Sequence, residues 1–178
     1  MVRFSPEFRQ NSIEHREKAL KSDDPNFLLG TTRVDVTLLE DVKSVATMGG
    51  FTWSSDEPPD RGGANTAPNP LSYFVSGLGL CQMVHFAREA VLMEIPLDSI
   101  KNTVRGRFSR VPPRLYKEFI YDLRIESPAA PERIKEMVEV GERNCFVSNT
   151  LSKAAKLTGN IYLNGVQIHT ITRGPEPA

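Results

Sequence analysis

Residues 62–87 read GGANTAPNPLSYFVSGLGLCQMVHFA and contain the clearest helix pattern in the chain. Asn69 can cap the N-terminus of a helix, and Pro70 suits the first helical position. We expect the helix to run from about Pro70 to Met93. It is apolar on nearly every side until Arg88, which predicts a central buried helix.

Strand patterns precede this helix. Residues 32–40 (TRVDVTLLE) alternate apolar and polar side chains with a period of two, which predicts a half-buried strand. A Gly49-Gly50 pair then separates two further strand segments, KSVATMG and GFTWSS. The loop of residues 56–70 is long and rich in Pro, Gly and Asn, and loops of this kind often carry function.

The segments after the helix alternate between the strand period and the helix period. A hairpin closes the chain around Asn164-Gly165, a dipeptide typical of a two-residue turn. Strands, a helix, strands, helices and a hairpin in this order predict an α+β fold. The predicted ranges are strands at 102–109 and 116–126, helices at 131–143 and 146–155, and the hairpin at 158–172.

The first 28 residues differ from the rest of the chain. Residues 5–22 are strongly charged and carry only a thin apolar stripe, which predicts a surface helix, and residues 23–26 predict a turn. We therefore expect an N-terminal helical arm at residues 1–28 and one domain at residues 29–178.

Composition and charge narrow the classes of function. The chain has 178 residues, with 22 Lys plus Arg and 22 Asp plus Glu, so its formal net charge is zero. Without a basic surplus, neither nucleic acid nor an anionic membrane surface is an expected partner. The N-terminus lacks the apolar segment of a secretory signal, and the central helix is too interrupted for a membrane span. We therefore expect a cytoplasmic protein.

Cys81 and Cys145 are the two cysteines of the sequence, too few for a disulfide scaffold. A cysteine in the middle of a helix is most often an inert core residue. However, Cys81 follows a loop of unusual composition, and His85 lies four positions later on the same helix face. His85 could act as a base for the thiol, or it could be a buried structural histidine. Cys81, His85 and Cys145 could also supply three ligands to a metal ion, so inert, redox and metal interpretations stay open.

Two motifs in the sequence resemble those of the OsmC/Ohr family. Residues 62–87 combine a Gly-Gly loop, a Pro-Asn-Pro helix start and a cysteine about three helical turns further on. Residues 142–151 (ERNCFVSNTL) resemble the second family motif, and residues 56–63 (DEPPDRGG) resemble its acidic loop. The order and spacing of the motifs also fit, and the resemblance covers roughly residues 31–172.

The resemblance implies antiparallel sheets around a long central helix, in an intertwined homodimer with active sites at the subunit interface. It also implies reduction of organic hydroperoxides to alcohols by the Cys81 thiolate. The resulting sulfenic acid would condense with Cys145 to form a disulfide, and an external dithiol, often lipoyl-linked, would reduce it. Neither a bound cofactor nor a metal is expected.

Activation of Cys81 requires a nearby cation, because a thiol of ordinary pKa is only about 3% ionised at pH 7. In the family the cation is an arginine held by an acidic residue. Glu57 and Asp60 are the candidate acids in this sequence. No basic residue matches the family position cleanly, and the candidate cations are Arg33, Lys43, Arg61 and Arg88.

Further departures from the family pattern favour an alternative function. Ser72, Ala67 and Phe146 stand where the family has glutamate, glycine and proline. Together with the missing arginine, they suit a small-molecule-binding or redox-sensing protein without peroxidase turnover.

An apolar pocket would favour bulky organic peroxides over hydrogen peroxide. We expect aromatic side chains near the central helix to line it, namely those of Phe51, Trp53, Tyr73 and Phe86.

Overall fold

The computed structural model describes residues 1–24 and 30–175. The predicted turn at residues 23–26 lies partly outside the described residues, and so does the predicted boundary between residues 28 and 29. The chain forms two compact units: Met1–Lys18 with Val75–Ala178, and Ala19–Phe74. In the described part of the chain, no helix is both long and apolar enough to cross a membrane.

The unit of residues 19–74 contains a three-stranded antiparallel sheet. Its strands are β1 (Asp35–Glu40), β2 (Lys43–Met48) and β3 (Phe51–Ser55), in the order β1-β2-β3. Gly49 closes the β2–β3 turn at φ 58°, in the left-handed region that glycine enters freely. The predicted strands and the Gly49-Gly50 turn are confirmed.

The predicted half-burial of β1 is wrong for this chain. All six residues of the strand are exposed, including Val36 and Leu38 on one face. The alternation of apolar and polar residues gives β1 an apolar face, and such a face is normally packed against another element. In the described residues of this chain, no element covers it.

The central helix, α2, spans Pro70–Leu92 and begins as predicted. The Asn69 side chain accepts hydrogen bonds from the Ser72 backbone N–H and from the Ser72 hydroxyl, each at 2.9 Å. Only one face of α2 is covered by its own chain: Leu78 and Phe86 are fully buried, whereas Leu80 is 68% exposed. A helix apolar on nearly every side therefore retains an uncovered apolar face.

The second sheet belongs to the other unit and contains β4 (Ser99–Phe108), β5 (Tyr116–Glu126), β6 (Lys156–Leu163) and β7 (Val166–Arg173). The strand order is β4-β5-β6-β7. The β5–β6 pair is parallel and the other two pairs are antiparallel. This sheet and helix α2 enclose the core, so the predicted α+β class is confirmed.

Two helices connect the parallel strands β5 and β6. Helix α3 spans Pro131–Asn144 and helix α4 spans Phe146–Leu151, with Cys145 between them. The predicted second helix is too long, because the helix ends at Leu151 and not at residue 155. The hairpin turn at Asn164-Gly165 is confirmed, with φ values of 48° and 81°.

The N-terminal helix, α1, spans Pro6–Lys21 as predicted. In the unit that contains its first turns, the Ser12 side chain is buried and the Arg16 guanidinium forms an ion pair with the Glu89 carboxylate. The Val2 N–H donates to the Leu97 carbonyl at 2.8 Å. Residues 1–18 are thus attached to this unit through an ion pair, a backbone hydrogen bond and a buried side chain.

Candidate active site

Cys81 lies on α2, about three turns from the start of the helix. Its side chain is free and half-buried. The N-terminal end of the helix dipole acts only over the first turn, so at this depth it does not stabilise a thiolate.

Cys145 occupies the junction between α3 and α4 and is fully buried. Its N–H donates to the Glu142 carbonyl at 3.2 Å, and its Sγ accepts a hydrogen bond from the Ser148 N–H at 3.5 Å. The thiol therefore acts as the N-cap of α4. This contact fixes the position of the sulfur by backbone geometry.

The structure brings the two cysteine side chains together. Burial is the main cause that raises the pKa of the Cys145 thiol from its ordinary value of 9.0 to about 11. A hydrogen bond and the charge of the Cys81 side chain act in the same direction, while the hydroxyl and N–H of Ser148 act against it. Ionisation of Cys81 therefore disfavours ionisation of Cys145.

A buried polar cluster adjoins Cys145, and the sequence did not indicate it. The Gln82 amide donates to Glu142 Oε1 at 2.5 Å and to Ser148 Oγ at 3.3 Å. The Asn102 amide donates to Gln82 Oε1 at 2.7 Å. All four side chains thus form one network, whose centre is the fully buried Gln82, the residue that follows Cys81.

His85 is buried beside the site, and its ring contacts the Phe146 ring with centroids 5.9 Å apart. Burial lowers the pKa of His85, and the charge of Arg88 lowers it further. The imidazole is therefore neutral at pH 7. In residues 1–24 and 30–175, no hydrogen bond joins His85 to either cysteine, so the proposed base role gains no geometric support.

The candidate acids and three candidate cations belong to the unit of residues 19–74. Arg61 forms an ion pair with Glu57, four positions earlier in the chain, at 3.4 Å. Arg33 pairs with Asp35 at 2.9 Å on the protein surface. Asp60 is exposed, Lys43 is half-buried at the start of β2, and Arg88 is half-buried on α2 in the other unit.

Asp56 is a buried carboxylate of the loop before the central helix, and sequence reasoning missed its role. Its side chain is almost completely buried and accepts hydrogen bonds from the N–H groups of Glu57, Ala64 and Thr66. The hydrogen bond from the Thr66 N–H is the main cause that lowers the Asp56 pKa. Only glycine fits at residue 63 of this loop, because the Cβ of any other residue would lie 1.9 Å from the Glu57 carbonyl oxygen.

The predicted aromatic pocket is wrong in one member. Phe86 is fully buried in the core and cannot line an open pocket. Phe51, Trp53 and Tyr73 belong to the other unit, where the Tyr73 hydroxyl donates to the Ser54 carbonyl at 2.6 Å.

The described residues contain no group of three or more His, Cys, Asp or Glu side chains arranged to hold a metal ion. The metal interpretation of Cys81, His85 and Cys145 therefore gains no support from the described geometry.

The chain is an α+β protein whose long central helix carries Cys81, with the buried Cys145 between two later helices. A family model described as OsmC-like protein matches residues 62–159. Because this match covers more than half of the chain, the protein belongs to the OsmC-like family.

Solved structures share the fold. An OsmC-like protein from Mycoplasma pneumoniae has a TM-score of 0.69 at 24% identity, and the alignment covers 75% of this chain and 97% of that chain. An organic hydroperoxide resistance protein OsmC from Legionella pneumophila has a TM-score of 0.59 at 18% identity, with 75% and 98% covered. A putative organic hydroperoxide resistance protein from Vibrio cholerae, with captopril in one active site, has a TM-score of 0.59 at 17% identity, with 79% and 96% covered. A comparison with curated proteins gives no match.

Proposed function

We propose that this protein is a cytoplasmic thiol-dependent hydroperoxide reductase in which Cys81 reacts with the peroxide and Cys145 resolves the product. The interaction of the two thiols, in which the Cys81 side chain raises the pKa of Cys145, is the observation that carries this proposal. Membership of the OsmC-like family supports it, and the Legionella and Vibrio proteins with the same fold are named for organic hydroperoxide resistance. The cellular role would be protection against oxidative stress.

The proposed reaction has two chemical steps. The Cys81 thiolate attacks one peroxide oxygen, the O–O bond breaks, and the alkoxide leaves with a proton as the alcohol. Cys145 then attacks the Cys81 sulfenic acid, so that an S–S bond forms and water leaves. An external dithiol, such as a lipoyl group, reduces the disulfide by thiol–disulfide exchange. No bound cofactor takes part.

The difference between the two thiols supports this order of events. Cys81 is half-buried, whereas Cys145 is fully buried and has a pKa raised to about 11. The thiol that meets the peroxide must be accessible and ionised. Cys81 suits the first step because its side chain is the more accessible of the two.

Activation of Cys81 would come from an arginine held by an acid. The ion pair of Arg61 with Glu57 supports this pair over Arg33, whose partner Asp35 lies on an exposed strand. Asp60 is the alternative acid and adjoins Arg61 in the same short 3-10 helix, Pro59–Arg61.

A second candidate function is small-molecule binding or redox sensing without peroxidase turnover. One observation favours it: in the described residues, no basic side chain forms a hydrogen bond or ion pair with Cys81. Its thiol would then be oxidised slowly and would not turn over.

A comparison of two variants tests the proposal. Cys81→Ser should abolish consumption of cumene hydroperoxide even in a single turnover, because the attacking sulfur is lost. Cys145→Ser should consume one equivalent, accumulate a sulfenic acid that dimedone traps, and then over-oxidise. Stopped-flow peroxide consumption and mass spectrometry measure both outcomes, with hydrogen peroxide as the comparison substrate.

Two results would decide against the peroxidase. Wild-type turnover by Cys81→Ser would show that another group reacts with the peroxide. Slow oxidation of the unmodified protein by both peroxides, with ordinary Cys81 reactivity, would favour the binding or sensing function.

A further inference from the structure

The second step of the proposed reaction meets a chemical obstacle at Cys145. Only a thiolate attacks the sulfur of a sulfenic acid efficiently, and burial holds this thiol protonated far above neutral pH. The inference below rests on the proposed function and concerns how Cys145 loses its proton.

The Ser148 hydroxyl lies between the Cys145 thiol and a buried carboxylate. Ser148 Oγ donates to Glu142 Oε1 at 3.3 Å, and the Ser148 hydroxyl is close enough to the Cys145 thiol to lower its pKa. The Ser148 N–H holds the sulfur on this side at 3.5 Å. A thiol, a hydroxyl and a carboxylate thus stand in sequence, which is the order that a proton relay requires.

Neighbouring side chains hold this arrangement in place. The Gln82 amide binds both Glu142 Oε1 and Ser148 Oγ, and the Asn102 amide fixes Gln82 in turn. Arg173 lies 3.6 Å from Glu142 Oε2 and also donates to the Glu142 carbonyl at 3.3 Å. The Arg173 guanidinium thereby holds the Glu142 side chain and its backbone carbonyl in place.

Glu142 connects Ser148 with a cavity that opens to the protein surface. Its side chain is only 2% exposed, but it lines an open cavity of about 280 Å³. Glu139, Arg143, His169 and Arg173 line the same cavity, and His169 pairs with Glu139 at 3.0 Å. A proton received by Glu142 therefore has a short route to solvent.

The other titratable groups that face the relay are Cys81 on α2 and Tyr121 on β5. Burial raises the pKa of Tyr121, and the Glu142 charge raises it further, so this phenol stays neutral at pH 7. It does not compete with Glu142 for the thiol proton.

We propose that Glu142, acting through the Ser148 hydroxyl, is the base that removes the Cys145 proton during disulfide formation. The Cys145 proton passes to Ser148 Oγ while the Ser148 proton passes to Glu142. The thiolate attacks the Cys81 sulfur, the S–S bond forms, the S–O bond breaks, and the leaving hydroxide takes a proton to become water. Because Glu142 acts through Ser148, it is a positioning and relay residue.

Ellman's reagent tests this step without peroxide. The Cys81 thiolate displaces one thionitrobenzoate and forms a mixed disulfide, and Cys145 then displaces the second thionitrobenzoate as it closes the Cys81–Cys145 disulfide. Cys145→Ser should release only the first. In Glu142→Gln, the second release should slow at least about tenfold at pH 7, because general-base catalysis typically contributes more than this.

The pH dependence of the second release distinguishes a proton-relay role of Glu142 from a purely structural one. The rate of the second release in Glu142→Gln should rise about tenfold per pH unit from pH 6 to pH 10, because Cys145 must then ionise unaided. The wild-type rate should rise less, so the two curves converge toward the Cys145 pKa of about 11.

Matched variants complete the test. Ser148→Ala should match Glu142→Gln, and the double variant should be no slower than either, because both changes break one relay. Glu89→Gln removes another buried carboxylate, which pairs with Arg16, and should leave the second release unchanged. If Glu142→Gln does not fold, Ser148→Ala and its pH profile decide the question.

Two outcomes would overturn the relay: wild-type second release in Ser148→Ala or Glu142→Gln, or equal slowing in Glu89→Gln. The proposed function fails separately, if the protein completes both releases but does not consume peroxide.

Discussion

Asp56 holds the loop before the central helix through a single carboxylate. The N–H groups that it binds, those of Glu57, Ala64 and Thr66, span both ends of the loop, so one side chain organises residues 56–66. The candidate acids Glu57 and Asp60 lie within this loop. Asp56 therefore sets the backbone path on which those carboxylates depend.

Removal of the Asp56 carboxylate should open the loop. In Asp56→Ala, trypsin should cut after Arg61 at least several-fold faster at pH 7, because proteolysis follows local opening. Asp35→Ala, which removes an exposed carboxylate from β1, is the control and should be cut at the wild-type rate. Equal cutting of both variants would show that Asp56 does not hold the loop.

The pH dependence of this contribution follows from the lowered pKa of Asp56. A carboxyl whose folded pKa lies below its unfolded value stabilises the fold above the unfolded value, 3.8 here, and the contribution disappears as pH falls through the folded pKa. The difference in Tm between wild type and Asp56→Ala should therefore be full at pH 6 and should shrink below pH 3.8.

Of the candidate site, the sequence predicted only the residues that lie within a recognisable motif. Cys81 and Cys145 stand within recognisable motifs, and in the structure the Cys81 side chain is close enough to raise the pKa of Cys145. Glu142 was missed because it belongs to a helix with several charged residues, most of which face solvent. Its partners Gln82 and Ser148 come from other helices, and no local pattern reports such a meeting.

At the level of elements, periodicity located the strands and helices but not every pairing. Strands β5 and β6 are parallel, and parallel neighbours need a long crossover connection, which the two helices α3 and α4 supply. The two predicted helices between β5 and β6 were therefore compatible with parallel pairing of these strands. The exposure of β1 could not be predicted, because an alternating pattern shows that one face of a strand is apolar but not whether another element covers that face.

The parallel pairing creates one position where only glycine fits. Gly159 on β6 lies opposite Tyr121 on β5, and a Cβ at residue 159 would lie 2.1 Å from the Tyr121 ring. The ring is fully buried and cannot move aside. We expect Gly159→Ala to lower the free energy of unfolding by about 1–3 kcal/mol, as overpacking in a core does.

Urea denaturation measures this effect. Gly50→Ala is the control, because nothing lies within 4 Å of a Cβ at that position, and it should change the free energy by less than about 0.5 kcal/mol. A Gly159→Ala protein as stable as wild type would show that the sheet accommodates the methyl group by a shift.

For the whole molecule, large apolar side chains are exposed along the central helix and on the three-stranded sheet. Leu80, Val84 and Phe74 are exposed on α2, and Val36 and Phe51 are exposed on the three-stranded sheet. Soluble monomers scatter exposed apolar residues singly, so a set of them along one helix indicates an interaction surface. We propose that a second copy of the chain covers it.

A dimer should therefore form in solution. Light scattering should give a mass of about 40 kDa, twice the 19.9 kDa of the chain. An obligate dimer of this kind buries well over 2,000 Å², as a rule. A charge in the middle of such an interface is desolvated without a partner, so Leu80→Glu should shift the mass toward that of the monomer. Val166→Glu, at an equally exposed position on the C-terminal hairpin, is the control and should stay dimeric. A wild-type protein that scatters as a 20 kDa particle at micromolar concentration would refute the dimer, since the exposed face of α2 would then be stable in water by itself.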